Sequence, residues 1–201
     1  MPRRSRSPRS GGGINWKGRY EDFSAITRNS LLHALADNNE QLSDNNIEHL
    51  MQAYDSLSTF SVVNPALTQI ATDSTIQAVI FSNGTKTMVS NSVLRSKDLS
   101  PHASIFQDIV TVDEAKQYKP SKASYEHLAK QTGQNPPQMS NLWRISGNPF
   151  DIVGARATDM QIIWVDRVGT GWNDAVAPDL QPTVIVHSLE KIVNEIHRHR
   201  L

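Results

Sequence analysis

From residue 61 to the end of the chain, short apolar runs that stop at small polar residues alternate with stretches of helical spacing. Ile76 to Phe81 closes on Ser82-Asn83-Gly84, and Leu142 to Ile145 closes on Ser146-Gly147-Asn148-Pro149-Phe150-Asp151. Ile109 to Val112, Gln161 to Val165 and Thr183 to Val186 are further runs of strand length. Between them lie helical patterns at Pro65 to Thr72, residues 85–98, Lys122 to Gln131, Asp151 to Asp159 and Ser188 to His199. Strands that alternate with helices are joined by crossovers, and crossovers make parallel sheets. The sequence therefore predicts an α/β fold with a Rossmann-like parallel sheet. Polar residues at the carboxyl ends of such strands are where an open α/β sheet builds its site.

The first sixty residues read differently. Residues 1–15, MPRRSRSPRSGGGIN, are too polar to bury a core and predict a disordered basic tail. An organellar transit peptide, an Arg/Ser-type RNA-associated segment and a misassigned gene start are the other readings of that stretch. Residues 16–60 predict a helical subdomain. Phe23, Ile26, Ser30, Leu31, Ala34 and Leu35 recur at spacings of three and four, Asn38-Asn39 ends that helix, and Ser43-Asp44 opens a second. Ile47, Leu50, Met51 and Tyr54 are expected on the inner face of the second helix. Residues 61–201 form the α/β core in this reading.

Charge narrows the partners. Residues 1–19 hold six basic groups and no acid, and the remainder holds 14 basic and 20 acidic residues, a net charge of −6. A mildly acidic body argues against nucleic acid as the main partner. There is no apolar run long enough for a transmembrane helix, so no membrane partner is expected. The chain has no Cys, which removes thiolate chemistry and fits a reducing, cytoplasmic setting.

The ordered set of strand-Ser82-Asn83-Gly84, Lys119-Pro120 with Tyr125, and strand-Ser146-x-Asn148-x-x-Asp151-x-x-Gly154-Ala155 resembles the haloacid dehalogenase superfamily, most nearly the type II L-2-haloacid dehalogenases. Arg19-Tyr20-Glu21-Asp22-Phe23 resembles the start of that family's cap. The resemblance implies hydrolysis of 2-haloacids to 2-hydroxy acids through an aspartyl ester. It implies Lys119, Ser146, Asn148 and Asp151 as catalytic residues, with Lys119 fixing the nucleophilic carboxylate and pairing with Asp151. Ser82 would hold the substrate carboxylate, and Asn83 and Phe150 the leaving halide. Tyr125 would line the site, and Tyr20 and Phe23 would wall its apolar side. A small carboxylate is the implied ligand and a homodimer the implied assembly. With one acid, Asp151, opposite a lysine, the site is a poor Mg²⁺ cage, so no cofactor and no metal are expected.

The family's first strand, ending in Asp-x-x-Gly-Thr, has no counterpart ahead of the cap in this sequence. That strand is central in the family, so its absence is expected to leave two unpaired sheet edges, a gap in the core and a poorly folded chain. Ile162 to Thr170 imitates the missing motif around Asp166, but its place after the Asp151 segment favours a structural role. Plainer roles stand beside the others. Ser82-Asn83-Gly84 suits a turn and Lys119 a solvated loop, while Asp151 suits the first turn of a helix. Phe150, Trp164, Tyr20 and Phe23 suit packing. A binding homologue without activity and a phosphatase of the same superfamily are the alternative functions.

Overall fold

The computed structural model describes residues 19–54 and 57–200. The basic tail of residues 1–15 and the side chain of Tyr54 lie outside the described residues.

Two helices come first, α1 (Phe23–Asp37) and α2 (Asp44–Tyr54). Asp22 caps α1 by accepting the Ala25 N–H at 2.9 Å, and Asn39 leaves the helix with φ of 55°. Ser43 accepts the Asn46 N–H at 3.3 Å at the start of α2. The pair is lightly packed. Ile26 and Ile47 are buried, but Leu50, expected on the inner face, is 47% exposed. Its spacing fits a stripe, yet the apolar residues of α1 are spread around that helix, with Leu32 itself 37% exposed, and do not cover all of it.

The core then runs α3 (Val63–Thr72), β1 (Ala78–Ser82), α4 (Lys86–Arg95), β2 (Phe106–Thr111), α5 (Lys122–Gln131), β3 (Trp143–Ser146), α6 (Pro149–Arg156), β4 (Gln161–Val165), β5 (Val184–Val186) and α7 (Ile192–Arg198). Every strand pairing is parallel. β4 lies between β3 and β5 and is buried on both faces, which is why its sequence is a continuous apolar run. Ile162 and Trp164 face one core cluster with Phe81, Tyr125 and Ile152, while Ile163 and Val165 face another with Ile192 and Ile196. Pro149 opens α6, where its missing N–H costs no helical bond.

Among the described residues the five strands do not join into one sheet. β1 and β2 form one sheet, and β3, β4 and β5 another. A cavity of about 780 Å³ is lined by Ala78 and Val79 of β1 on one side and Trp143 to Ser146 on the other. This is the gap expected between two unpaired edges. Alternate residues of a strand turn their backbone polar groups to opposite sides. Ser82 gives its carbonyl to Val112 N, at 3.2 Å on the β2 side, so Val79 and Phe81 turn theirs away from β2, Val79 to the cavity and the Phe81 carbonyl to Lys119 Nζ at 3.3 Å. Leu142 O takes Gln161 N at 2.9 Å on the β4 side, so Trp143 and Ile145 face the cavity as well.

Amide hydrogen exchange checks this division. The N–H groups of Val79, Phe81 and Ile145 are expected to exchange much faster than those of Ile162 to Val165 in the paired strand β4. Equal protection along both edges would mean that the cavity is closed in solution.

Candidate active site

Two strand ends and one loop deliver the polar residues. At the end of β1, Ser82 Oγ accepts the Gly84 N–H at 3.0 Å, which fixes the turn. Asn83 Oδ1 accepts the Lys119 N–H at 3.0 Å and ties that turn to the loop after β2. The Lys119–Pro120 peptide bond is cis. At the end of β3, Ser146 Oγ accepts the Asn148 N–H at 3.1 Å. Asn148 in turn gives its carbonyl to the N–H of Asp151 at 3.1 Å, so the third motif leads directly into the first turn of α6.

Asp151 is the centre of the cluster and is 1% exposed. Its Oδ2 takes Arg144 Nε at 2.9 Å, Arg144 Nη2 at 2.5 Å and Lys119 Nζ at 3.4 Å. The Tyr125 hydroxyl donates to Oδ1 at 2.9 Å. Burial would raise the carboxyl pKa, but the charges of Arg144 and then Lys119 outweigh it and hold Asp151 below the ordinary 3.8. Asp151 is therefore a fixed anion. Tyr125 is buried and faces that anion, so its hydroxyl is pushed well above its usual range and stays protonated. Lys119 shows the opposite balance. Burial first, then the Arg144 charge, push its ammonium down to about 8 against the pull of Asp151.

Gly154 makes this arrangement possible. A Cβ there would lie 2.6 Å from both Pro120 Cβ and the Tyr125 hydroxyl. One turn beyond Asp151, the glycine lets the Lys119-Pro120 loop and Tyr125 close on the same face of α6.

The structure brings Lys119, Asp151 and Tyr125 into one bonded group, and Asn83 joins it through the Lys119 backbone. Ser82, Ser146 and Asn148 stand at the adjoining strand ends, each in a local turn. Phe150 is 43% exposed beside them in sequence. Tyr20 and Phe23 reach the neighbourhood through Tyr118, the residue before Lys119. Tyr20 stacks on its ring at 5.3 Å, and Phe23 lies tilted to it at 6.3 Å. The Tyr20 hydroxyl donates to Asp113. Asp166 is a loop staple: its carboxylate accepts the N–H groups of Gly169, Thr170 and Gly171 at 2.8 to 3.3 Å.

Sequence reasoning missed Arg144. It stands two residues before Ser146 on β3 and therefore on the same face of the strand. A lone arginine inside Trp143-Arg144-Ile145 was the available signal. The expected Lys119–Asp151 pair exists, but Arg144 holds the carboxylate more closely because its planar fork lies against the oxygen. Among the described residues no three His, Cys, Asp or Glu side chains gather as a metal cage.

No family model matches the chain. Among characterised proteins, the haloacetate dehalogenase H-2 of Moraxella sp. is 26% identical over 174 residues, 85% of this chain and 74% of that protein. The (S)-2-haloacid dehalogenase of Xanthobacter autotrophicus is 25% identical over 163 residues, 81% of this chain and 59% of that protein. The solved L-2-haloacid dehalogenase of Xanthobacter autotrophicus superposes with a TM-score of 0.77 at 21% identity, over 92% of this chain and 80% of that one. A second structure of that enzyme, with chloropropionic acid covalently bound, gives 0.76 over the same shares. In sequence the chain is similar to haloacetate and (S)-2-haloacid dehalogenases, and in fold it is similar to solved L-2-haloacid dehalogenases.

Proposed function

We propose that this site serves a hydrolase of the L-2-haloacid dehalogenase type, acting on small 2-haloacids. The observation that carries the reading is the buried Asp151–Lys119–Tyr125 group, set beside the strand-end residues Ser82, Asn83 and Ser146. In the reaction a carboxylate oxygen attacks C2 of the acid. The C–halogen bond breaks, halide leaves, and an ester forms. Water then adds to the ester carbonyl, the acyl C–O bond breaks, and the 2-hydroxy acid, a proton and the original carboxylate result. Ser82 and nearby backbone N–H groups hold the substrate carboxylate, and Asn83 and Phe150 receive the halide. Lys119 sets the nucleophile by charge. Ser146, Asn148 and Asp151 place the water, and Tyr20 and Phe23 close the apolar side through Tyr118.

Asp151 cannot itself be the attacking group in this scheme. It is an anion stabilised on both oxygens, and displacing its partners would strand two cations in a buried site. The nucleophile in this proposal is an aspartate at the end of a strand seated in the cavity between β1 and β3. A binding homologue without activity is the rival reading. It is favoured by one fact: among the described residues, Asp151 is the one carboxylate paired with Lys119.

Adding a strand tests the choice. The chain fused behind an apolar strand ending in Asp-x-x-Gly-Thr is expected to release halide from L-2-chloropropionate, with and without a metal chelator. The same fusion with Asn in place of that Asp is the control. A folded Asp fusion with no more halide release than the Asn control would leave the binding reading.

Further expectations follow from the roles of these groups. Asp151→Asn leaves Arg144 and Lys119 without a counter-charge and is expected to cost about 3–5 kcal/mol in denaturant unfolding. Lys119→Met leaves Asp151 bonded to Arg144 and Tyr125, so its cost at neutral pH is expected to stay below about 1 kcal/mol. The pH dependence separates them. Lys119 has a folded pKa of about 8, below its ordinary 10.5, so between these values the unfolded chain binds more protons. Stability gains a rising contribution across that window, and Lys119→Met removes it. Asp151 is depressed instead, so its stabilisation holds above 3.8 and is lost as pH falls through the folded value. Unfolding curves from pH 7 to 10 that are parallel for wild type and Lys119→Met would contradict this account. Gly154→Ala is expected to cost about 1–3 kcal/mol, because Pro120 and the buried Tyr125 ring cannot both yield.

A further inference from the structure

Two cations share one oxygen in this site. Arg144 and Lys119 both bond Asp151 Oδ2, and both lie over the Phe81 ring, at 5.5 and 4.7 Å from its centroid. Arg144 makes the short contacts, 2.5 and 2.9 Å, with Nη2 and Nε. Lys119 makes two long ones, 3.4 Å to Asp151 and 3.3 Å to the Phe81 carbonyl. An ammonium has three N–H groups and a guanidinium five. Among the described residues, the third N–H of Lys119 and the Nη1 edge of Arg144 have no acceptor. The group is thus one negative charge short while its lysine is 8% exposed, and buried charge is costly unless paired. Arg144 also lines the cavity of about 780 Å³, so an anion has a route to it. The other groups facing Lys119 are Asp151 of α6, Arg144 of β3 and, through Asp151, the Tyr125 hydroxyl of α5.

We propose that Arg144 is a positioning residue of this site. It holds Asp151 where Lys119 would otherwise do so, and it thereby makes the Lys119 ammonium and the free guanidinium edge a receptor for a second carboxylate. The ligand class is a single carboxylate group. It comes either from a free acid or from a side chain on a strand in the cavity. A neutral ligand would leave the charge unbalanced, and a dianion would overshoot it. The proposal deepens the dehalogenase reading, but its readout is a titration and needs no turnover. A protein that releases no halide can still show it.

The experiment is a ¹³C NMR titration of the Lys119 side chain in the full chain, with formate as the probe. The resonance is assigned by its loss in Lys119→Met. In wild type the resonance is expected to titrate near 8, and formate is expected to move it upward saturably. In Arg144→Met, Lys119 loses the Arg144 charge and closes on Asp151, so its titration should move up from about 8 and ignore formate, while burial still holds it below the ordinary 10.5. Arg144→Lys keeps the charge without the fork and should fall between the two, which keeps the test readable if the Met variant unfolds. The Asp-bearing fusion distinguishes the sources. If formate loses its effect there, the strand side chain fills the receptor. If formate still acts, a free acid does. A Lys119 titration that is the same in wild type and Arg144→Lys, or that formate leaves unmoved in wild type, overturns the proposal.

Discussion

The buried carboxylate of Asp151 is the constraint on which the rest depends. Removing a carboxylate from water is costly, and the cost is recovered only when hydrogen bonds and opposite charge meet it inside. Here the carboxylate and its partners come from four separate stretches of chain. Arg144 arrives on β3, Tyr125 on α5, Lys119 on the loop after β2, and Asp151 itself on α6. Lys119 passes the connection on to β1 through the Phe81 carbonyl and Asn83. Among the described residues the two sheets share no strand pairing, so this polar group is one of the ties between them. Gly154 shows how tight the tie is, because even a methyl group there would meet Pro120 and Tyr125 at 2.6 Å.

In the proposed reading, the open cavity gives the same cluster its chemical meaning. β1 and β3 carry polar residues at their carboxyl ends, and the space between those edges is where an open parallel sheet admits a ligand. Val79, Trp143 and Ile145 line that space, and so does Arg144. A strand seated there would satisfy the edges with main-chain bonds and bring its terminal side chain up to Lys119. Main-chain pairing and charge pairing would then act together, which is how a buried edge and a buried cation are both relieved.

Much of this was legible in the sequence, and the exceptions have physical causes. α5 and β4 fall where their patterns placed them, at Lys122–Gln131 and Gln161–Val165, because a helix stopped by glycine and a strand buried on both faces leave clear periods. The strand-end motifs stood out because Ser, Asn and Gly cluster only where the chain must turn. The inward face of α2 was misread at Leu50 because spacing reports a stripe and not what covers it. Arg144 was invisible because a charged residue in a four-residue strand reads as solvent-facing. Its partner Asp151 lies seven residues away across a turn, a separation that no helical or strand period marks.

Asp166 and Asp151 show why residue type alone could not assign the site. Both are nearly inaccessible and both are held below the ordinary carboxyl range. For Asp166, burial works against the anion, and the N–H groups of Gly171, Gly169 and Thr170 outweigh it. Those donors are fixed dipoles of its own loop, closed by glycines at φ of 76° and 77°, and together they satisfy the carboxylate locally. For Asp151 the stabilisers are whole charges on side chains from other elements, and they exceed it by one. A carboxylate stapled by backbone dipoles holds a loop and leaves nothing over. A carboxylate outnumbered by cations leaves a charge to be met by a second anion, and that surplus separates a site from a staple.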